Sequence, residues 1–178
     1  AFTAAASVLT GVLFGLAPAL RWLGRWYDDQ FALNVVVEAD EDTDVEEDIR
    51  VTLFRSVREL LFNVVKHARV TSARVQLGRE ADGRVRIVVS DDGVGFDPEA
   101  VRAHEGTDGG FGLFSLRERL ELLGGRIQVN SAPGRGASFT LIAPPPGRVG
   151  PHVPAPRSVS TAPPAASSNR RRRARRCD

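Results

Sequence analysis

Asp91, Gly93 and Gly95, in the stretch DDGVGF, have the types and spacing of a site that a flat ring or a phosphate can approach closely. The apolar run Val85 to Ser90 predicts a strand, so Asp91 stands at a strand end, aimed into a cavity rather than at bulk water. Neither glycine has a Cβ. The backbone there is free to take positive φ and lets a ring or a phosphate approach closely. A carboxylate above two glycines is therefore a candidate floor for a nucleotide. Taken alone, D-x-G-x-G also fits an ordinary turn, and the choice depends on what flanks it.

Upstream, a helix is predicted over Val45 to Ala68. Ile49, Leu53, Val57, Leu60 and Val64 recur at three- and four-residue steps and form its buried face. Glu59, Asn63 and Lys66 or His67 recur at the same steps beside that face. Glu59 and Asn63 are one turn apart, so a carboxylate and an amide oxygen point to one place. Such a pair suits a hydrated Mg²⁺, which takes few protein oxygens, or the orientation of a hydroxyl or water for attack. The plainer alternative is an amphipathic helix with a wet edge. Downstream, GGFGL (Gly109 to Leu113) feeds a helix predicted over Ser115 to Leu123, which closes at Gly124 and Gly125. Glycine before a helix N-terminus leaves amides free for phosphate oxygens, and the helix dipole adds attraction for negative charge. A Rossmann or P-loop site is not supported, since no G-x-G-x-x-G follows the first strand and no G-K-[ST] occurs.

These three sets need a scaffold, and the rest of the sequence predicts one. Ala17 to Asp29 reads as a helix with Leu16, Leu20, Leu23 and Trp26 or Tyr27 on one face, and Leu33 to Glu38 as a β-branched strand. The acidic loop ADEDTDVEED lacks the ligand spacing and central glycine of a calcium loop and reads as solvated. Its last carboxylates favour the N-terminus of the next helix. Ala73 to Leu77 and Val85 to Ser90 are strands joined through Asp82 and Gly83. Asp97 to Gly110 reads as irregular, and Ile127 to Asn130 with Ser138 to Ile142 as a hairpin across PGRG, Pro133 to Gly136.

Composition limits the function classes. The 178 residues are 42% hydrophobic and 26% charged, which suits one domain with a core plus some unstructured length. The net charge of +2 hides a split. Residues 1–143 carry 16 Lys and Arg against 21 Asp and Glu, whereas residues 144–178 carry 8 against 1. The high pI is that of a tail, and nothing in the folded part calls for nucleic acid. That tail, rich in Pro and ending in RRRRARR (Arg170 to Arg176), has no apolar periodicity and reads as disordered. The single cysteine, Cys177, excludes an internal disulfide framework and thiolate metal sites, and it fits a reducing cytoplasm. Ala1 to Leu20 is uncharged but too mildly apolar for a span and lacks a cationic lead. With no Met in the sequence, this apolar start reads as the middle of an element, and residues 1–13 as the truncated end of an upstream helical region.

RELLFNVVKHA (Arg58 to Ala68), VSDDGVGF (Val89 to Phe96) and GGFGLFSLRERLELLGGRIQVNSAPGRG (Gly109 to Gly136) together resemble the catalytic ATP-binding domain of sensor histidine kinases. The resemblance is strongest to the nitrate- and degradation-sensor subgroup, and FGLAPALRWLGRWY (Phe14 to Tyr27) is similar to that subgroup's lead-in to the domain. It implies a domain over residues 14–143 with the Bergerat fold: an α/β two-layer sandwich whose mixed, mostly antiparallel sheet packs on three helices, with a mobile ATP lid. It implies ATP and Mg²⁺ as cofactors. Asp91 would accept the adenine amino group, with Gly93 and Gly95 shaping the base pocket. Asn63 would bind Mg²⁺, with Glu59 as its polar or basic partner. Lys66 and His67 would lie near the phosphates, and Gly110, Phe111, Gly112 and Leu113 would grip the phosphate chain from the lid. Positioning and charge neutralisation of this kind are what phosphoryl transfer needs.

Two departures qualify the resemblance. The family's phosphate-accepting histidine lies on an upstream dimerisation hairpin, and the histidines here are His67, His104 and His152, none on such a helix. The chain is therefore expected to bind ATP without phosphorylating itself, and to work on a histidine-bearing dimerisation domain that it lacks. The expected partners are that domain, a downstream response regulator and, in full length, a second copy. The expected location is cytoplasmic, either free or as the cytoplasmic part of a membrane-bound kinase. Secondly, Ala137 stands where a threonine is usual, with Ser138 next, a change that bears on one minor pocket contact. Alternatives within the fold are a protein serine kinase of the anti-sigma-factor type, against which L-R-E-R argues, and a gyrase- or chaperone-type ATPase, which demands far more chain. A catalytically idle docking module is the alternative from another class.

Overall fold

The structure is a computed structural model that describes residues 15–41, 43, 45–103 and 111–145. The expectations placed on residues 1–14, on His104 and Gly110, and on the tail beyond residue 145 lie outside the described residues.

Two layers form around one core. Helix α1 (Leu16–Phe31) leads into strand β1 (Asn34–Ala39), then helix α2 (Glu47–Asn63), which runs on as a π-helical turn (Val64–Ala68). Strands β2 (Ser72–Arg79) and β3 (Val85–Asp91) follow, then a short helix α3 (Pro98–Ala103), helix α4 (Phe111–Leu122) and strands β4 (Arg126–Ser131) and β5 (Ala137–Ala143). The sheet order is β1-β2-β3-β5-β4, with β1 parallel to β2 and every other pairing antiparallel. This is the mixed, mostly antiparallel sheet backed by three main helices that the resemblance implied. The parallel pair is possible because α2 makes the crossover between its strands.

Period-two alternation in β2 buries Ala73, Val75 and Leu77 and leaves Arg74 and Gln76 outside. The inner row meets Leu20 and Leu23 of α1, Leu53, Val57 and Leu60 of α2, and Leu116 and Leu120 of α4 in one cluster. The face of α2 read from its periodicity, Ile49 to Val64, is buried along its length. Tyr27 is also buried, and its hydroxyl donates to the Arg58 carbonyl at 2.7 Å, fixing α1 to the middle of α2. Among the described residues, no helix is long and apolar enough to cross a membrane.

Two boundaries differ from expectation. The stretch opening at Asp97, read as irregular, begins with α3. Asp97 Oδ1 accepts from the Glu99 amide at 2.9 Å and Pro98 occupies the first helical position, a cap that the D-P-E sequence carries. Helix α4 starts at Phe111, four residues before Ser115, so the second glycine set lies partly within its first turn. Its end falls where read: the Gly125 amide donates back to the Leu120 carbonyl at 2.8 Å, with Gly124 at φ 74°.

Candidate functional site

The end of α2, the end of β3, the start of α4 and the strand β5 converge on a cavity of about 630 Å³. Helix α2 contributes Glu59 and Asn63, one turn apart, both half-buried and both on the lining. Beyond Asn63 the backbone widens into the π-helical turn, and with more residues per turn both Lys66 and His67 reach the lining rather than one of them. Lys66 Nζ also stands 4.3 Å from the centre of the Phe62 ring, a cation–π contact at the rim. The turn ends at Arg69, whose φ of 59° breaks the helix.

Asp91 closes β3 and is buried, with 8% of its surface exposed. Its Oδ1 accepts from the Gly93 amide at 2.9 Å, which turns the chain sharply off the strand. Burial raises the Asp91 carboxyl above the ordinary carboxylate range; the neighbouring Asp92 charge adds to the rise, and the Gly93 and Ala137 amides oppose it. Gly95 lines the cavity with φ 59°, and a Cβ there would stand 2.1 Å from the Ala132 carbonyl oxygen. Gly93 supports the cavity from behind. A Cβ on it would stand 2.3 Å from the Ala68 oxygen, so only glycine lets the loop pass this close to the π-helical turn.

Across the cavity, Gly112 and Leu113 of α4 line the opposite side, and Glu59 Oε1 would lie 3.3 Å from a Cβ on Gly112. The side chain of Phe111, which opens α4, lies outside the described residues. The arrangement thus has a buried carboxylate at one end, an amide and carboxylate with two basic side chains along one wall, and a helix N-terminus facing them. That is one end fit for an amine donor and another for an anion with a cation.

The sequence pattern of the histidine kinase-, DNA gyrase B- and HSP90-like ATPases matches residues 48–147. The chain belongs to this family. It is 39% identical over 129 residues to the signal transduction histidine-protein kinase/phosphatase UhpB of Salmonella typhimurium, covering 71% of this chain and 24% of that protein. It is 37% identical over 109 residues to an uncharacterized sensor-like histidine kinase of Chloroflexus aurantiacus, covering 58% of this chain and 18% of that protein. The chain therefore spans less than a quarter of the length of these relatives. The crystal structure of full-length ShkA in complex with AMPPNP superposes with a TM-score of 0.58 at 26% identity, over 74% of this chain and 30% of that one. The blue-light activated histidine kinase of Erythrobacter litoralis EL346 shares the fold, with a TM-score of 0.61 at 22% identity over 72% of this chain and 41% of that one. Within the family the chain is an ATP-binding domain of the sensor histidine kinase kind.

Sequence reasoning missed most of the apolar half of this cavity, Ala137 having entered only as a departure from the family's usual threonine. Phe96, Val101, Ala137 and Phe139 line the cavity, with the rings of Phe96 and Phe139 stacked 6.1 Å apart and 23° from parallel. The Phe96 signal was present as the last residue of DDGVGF, whereas Phe139 reads from sequence only as a strand residue. Among the described residues no group of three or more His, Cys, Asp or Glu could hold a metal ion. The donors at Asn63 and Glu59 fit a Mg²⁺ that takes most of its oxygens from phosphate and water, and they are too few to hold one alone.

Proposed function

We propose that this domain supplies the catalysis of a two-component sensor histidine kinase: it binds Mg·ATP and transfers the γ-phosphoryl group to a histidine on a dimerisation domain outside this chain. The observation that carries the reading is one cavity shared by Asp91 at the end of β3 and the Glu59–Asn63 pair on α2. In it Asp91 accepts the adenine amino group, the Phe96 and Phe139 rings hold the base, and Gly95 leaves room for it. Asn63 offers its amide oxygen to the cation, while Lys66, His67 and the amides at the start of α4 face the phosphates, Gly112 and Leu113 among them. Bound Mg²⁺ would neutralise the phosphate charge that builds up during transfer.

Glu59 receives or orients a proton where the acceptor nitrogen approaches, a role supported by its carboxylate lying on the lining one turn from Asn63 and close to Gly112. The phosphoryl group leaves ADP, forms an N–P bond on the acceptor histidine, and passes from there to a response regulator. A homodimer of the complete kinase, with this domain on the cytoplasmic side, completes the reading.

Titration calorimetry with Mg·ATP, GTP as competitor and Asp91→Asn beside the native chain tests it. Saturable, Mg²⁺-dependent binding that prefers ATP and weakens in the variant is expected. Absence of ATP binding by the native chain would falsify the proposal. The transfer step is checked by mixing the domain with the dimerisation domain of its own kinase and γ-labelled ATP, where label must appear on histidine, stable in base and released in acid.

A further inference from the structure

Ser131, the last residue of β4, is on no wall of the cavity, yet its hydroxyl makes two hydrogen bonds that bear on one. Oγ accepts from the Phe96 amide at 2.9 Å and donates to the Gly136 carbonyl at 2.8 Å. A hydroxyl is one of the few side-chain groups able to do both from a single atom. The two groups it joins belong to different segments: Phe96 ends the loop that starts at Asp91, and Gly136 ends the turn between β4 and β5. Backbone bonds run alongside. The Gly136 amide donates to Gly93 at 2.8 Å and the Gly134 amide donates to Val94 at 2.7 Å. Among these cross-links between loop and turn, the Ser131 pair is the one made by a side chain, and it sits at the Phe96 end, where the ring stacks on Phe139.

We propose that Ser131 is a positioning residue for the nucleotide base: its hydroxyl holds the Phe96 backbone so that the Phe96 ring stays stacked on Phe139 and the apolar wall keeps its place in the cavity it shares with Asp91. The inference rests on the nucleotide reading of the cavity. Without the hydroxyl, the Phe96 amide and the Gly136 carbonyl each lose a partner in a half-buried setting, and the loop between Gly95 and Asp97 is free to swing the ring off the wall. The effect must fall on the base and not on the phosphates, because Asn63, Lys66 and Gly112 are on other elements.

The test compares Ser131→Ala and Ser131→Thr with the native chain in two measurements. The first is calorimetric affinity for Mg·ATP and for adenosine. Ser131→Ala is expected to weaken both by the same factor, about tenfold, while Ser131→Thr, which keeps the hydroxyl, restores both. The second is amide hydrogen exchange without nucleotide, in which the Phe96 amide is expected to exchange faster in Ser131→Ala and at the native rate in Ser131→Thr. Affinities within twofold of native in Ser131→Ala overturn the proposal, as does a loss confined to ATP with adenosine unaffected. Should the native chain bind no nucleotide, the functional reading fails. The exchange at Phe96 then still decides whether the hydroxyl holds the loop. If Ser131→Ala does not fold, Ser131→Cys, of similar size and weaker hydrogen bonding, takes its place with the same expectations.

Discussion

The Val94 amide donates to the Ala68 carbonyl at 3.0 Å, so the last residue of the π-helical turn is hydrogen-bonded to the middle of the DDGVGF loop. Two sequence stretches more than twenty residues apart meet backbone to backbone, with Gly93 as the residue that lets them. Gly93→Ala places a methyl group 2.3 Å from the Ala68 oxygen, and neither partner is a side-chain end that swings aside. The variant is expected to lose about 1–3 kcal/mol of stability, read as a lowered midpoint in urea with an unchanged slope. A native midpoint would mean that the loop stands further from the helix than described.

Asp91 should set base selectivity. Replacing its carboxylate by an amide removes a charge-assisted acceptor, so Asp91→Asn is expected to bind ATP roughly 10- to 100-fold more weakly and to lose preference over GTP. Competition calorimetry reads both. Retention of ATP preference in the variant would remove Asp91 from the base site.

The raised carboxyl of Asp91 makes a second prediction, with pH as the variable. Native protein keeps the Asp91 proton over a range in which the unfolded chain has released it. The resulting stability is fully present below the ordinary carboxylate range and is lost as pH rises through the raised one. At neutral pH the buried carboxylate thus weakens the fold. Asp91→Asn is expected to melt higher than native near neutrality, with the gap closing in acid. ATP affinity should move the opposite way, falling on acidification as Asp91 takes up its proton. A melting gap that widens in acid would show that the carboxylate is stabilised where it sits.

Asn63→Ala separates cation from base. Adenosine affinity should remain native, while ATP affinity in Mg²⁺ should drop to about the value native protein shows in chelator, a loss on the order of tenfold or more. Equal loss for adenosine and ATP would place Asn63 in the base pocket instead.

Tyr27 is not on the cavity lining and holds α2 through the Arg58 carbonyl. Burial pushes its hydroxyl up to about 12, with the Glu59 charge adding to the rise and Arg58 opposing it. The bond is fully present below pH 10, and its contribution is lost as pH rises through 12. Tyr27→Phe should cost about 1 kcal/mol at neutral pH and should flatten the alkaline part of the stability profile. An alkaline profile identical to native would mean that another group governs that range.

Much of this is legible in the sequence. Glu59 and Asn63 share a cavity because a helix repeats every 3.6 residues, and that period is written in Ile49, Leu53, Val57 and Leu60 as well. Asp91 is buried because an apolar strand ends on it. Phe139 and Ser131 are beyond reach for a different reason: their roles depend on β5 pairing with β3, a contact made across some fifty residues that no local pattern announces. The π-helical turn was hidden too, since VVKHA contains neither glycine nor proline to mark a departure from the α-helix.

Strand β5 comes last in sequence among the described strands, yet it is inserted between β3 and β4. During synthesis, β4 emerges before its sheet partner exists, and β3 carries an open hydrogen-bonding edge until Ala137 to Ala143 arrives to fill it. The helix with Glu59 and Asn63 is made long before the cavity has Ala137 or Phe139 for a wall. A ligand that needs this cavity thus has no complete site on the nascent chain until β5 has been translated, and the waiting edge of β3 is where a chaperone would protect the chain or a neighbouring chain would trap it.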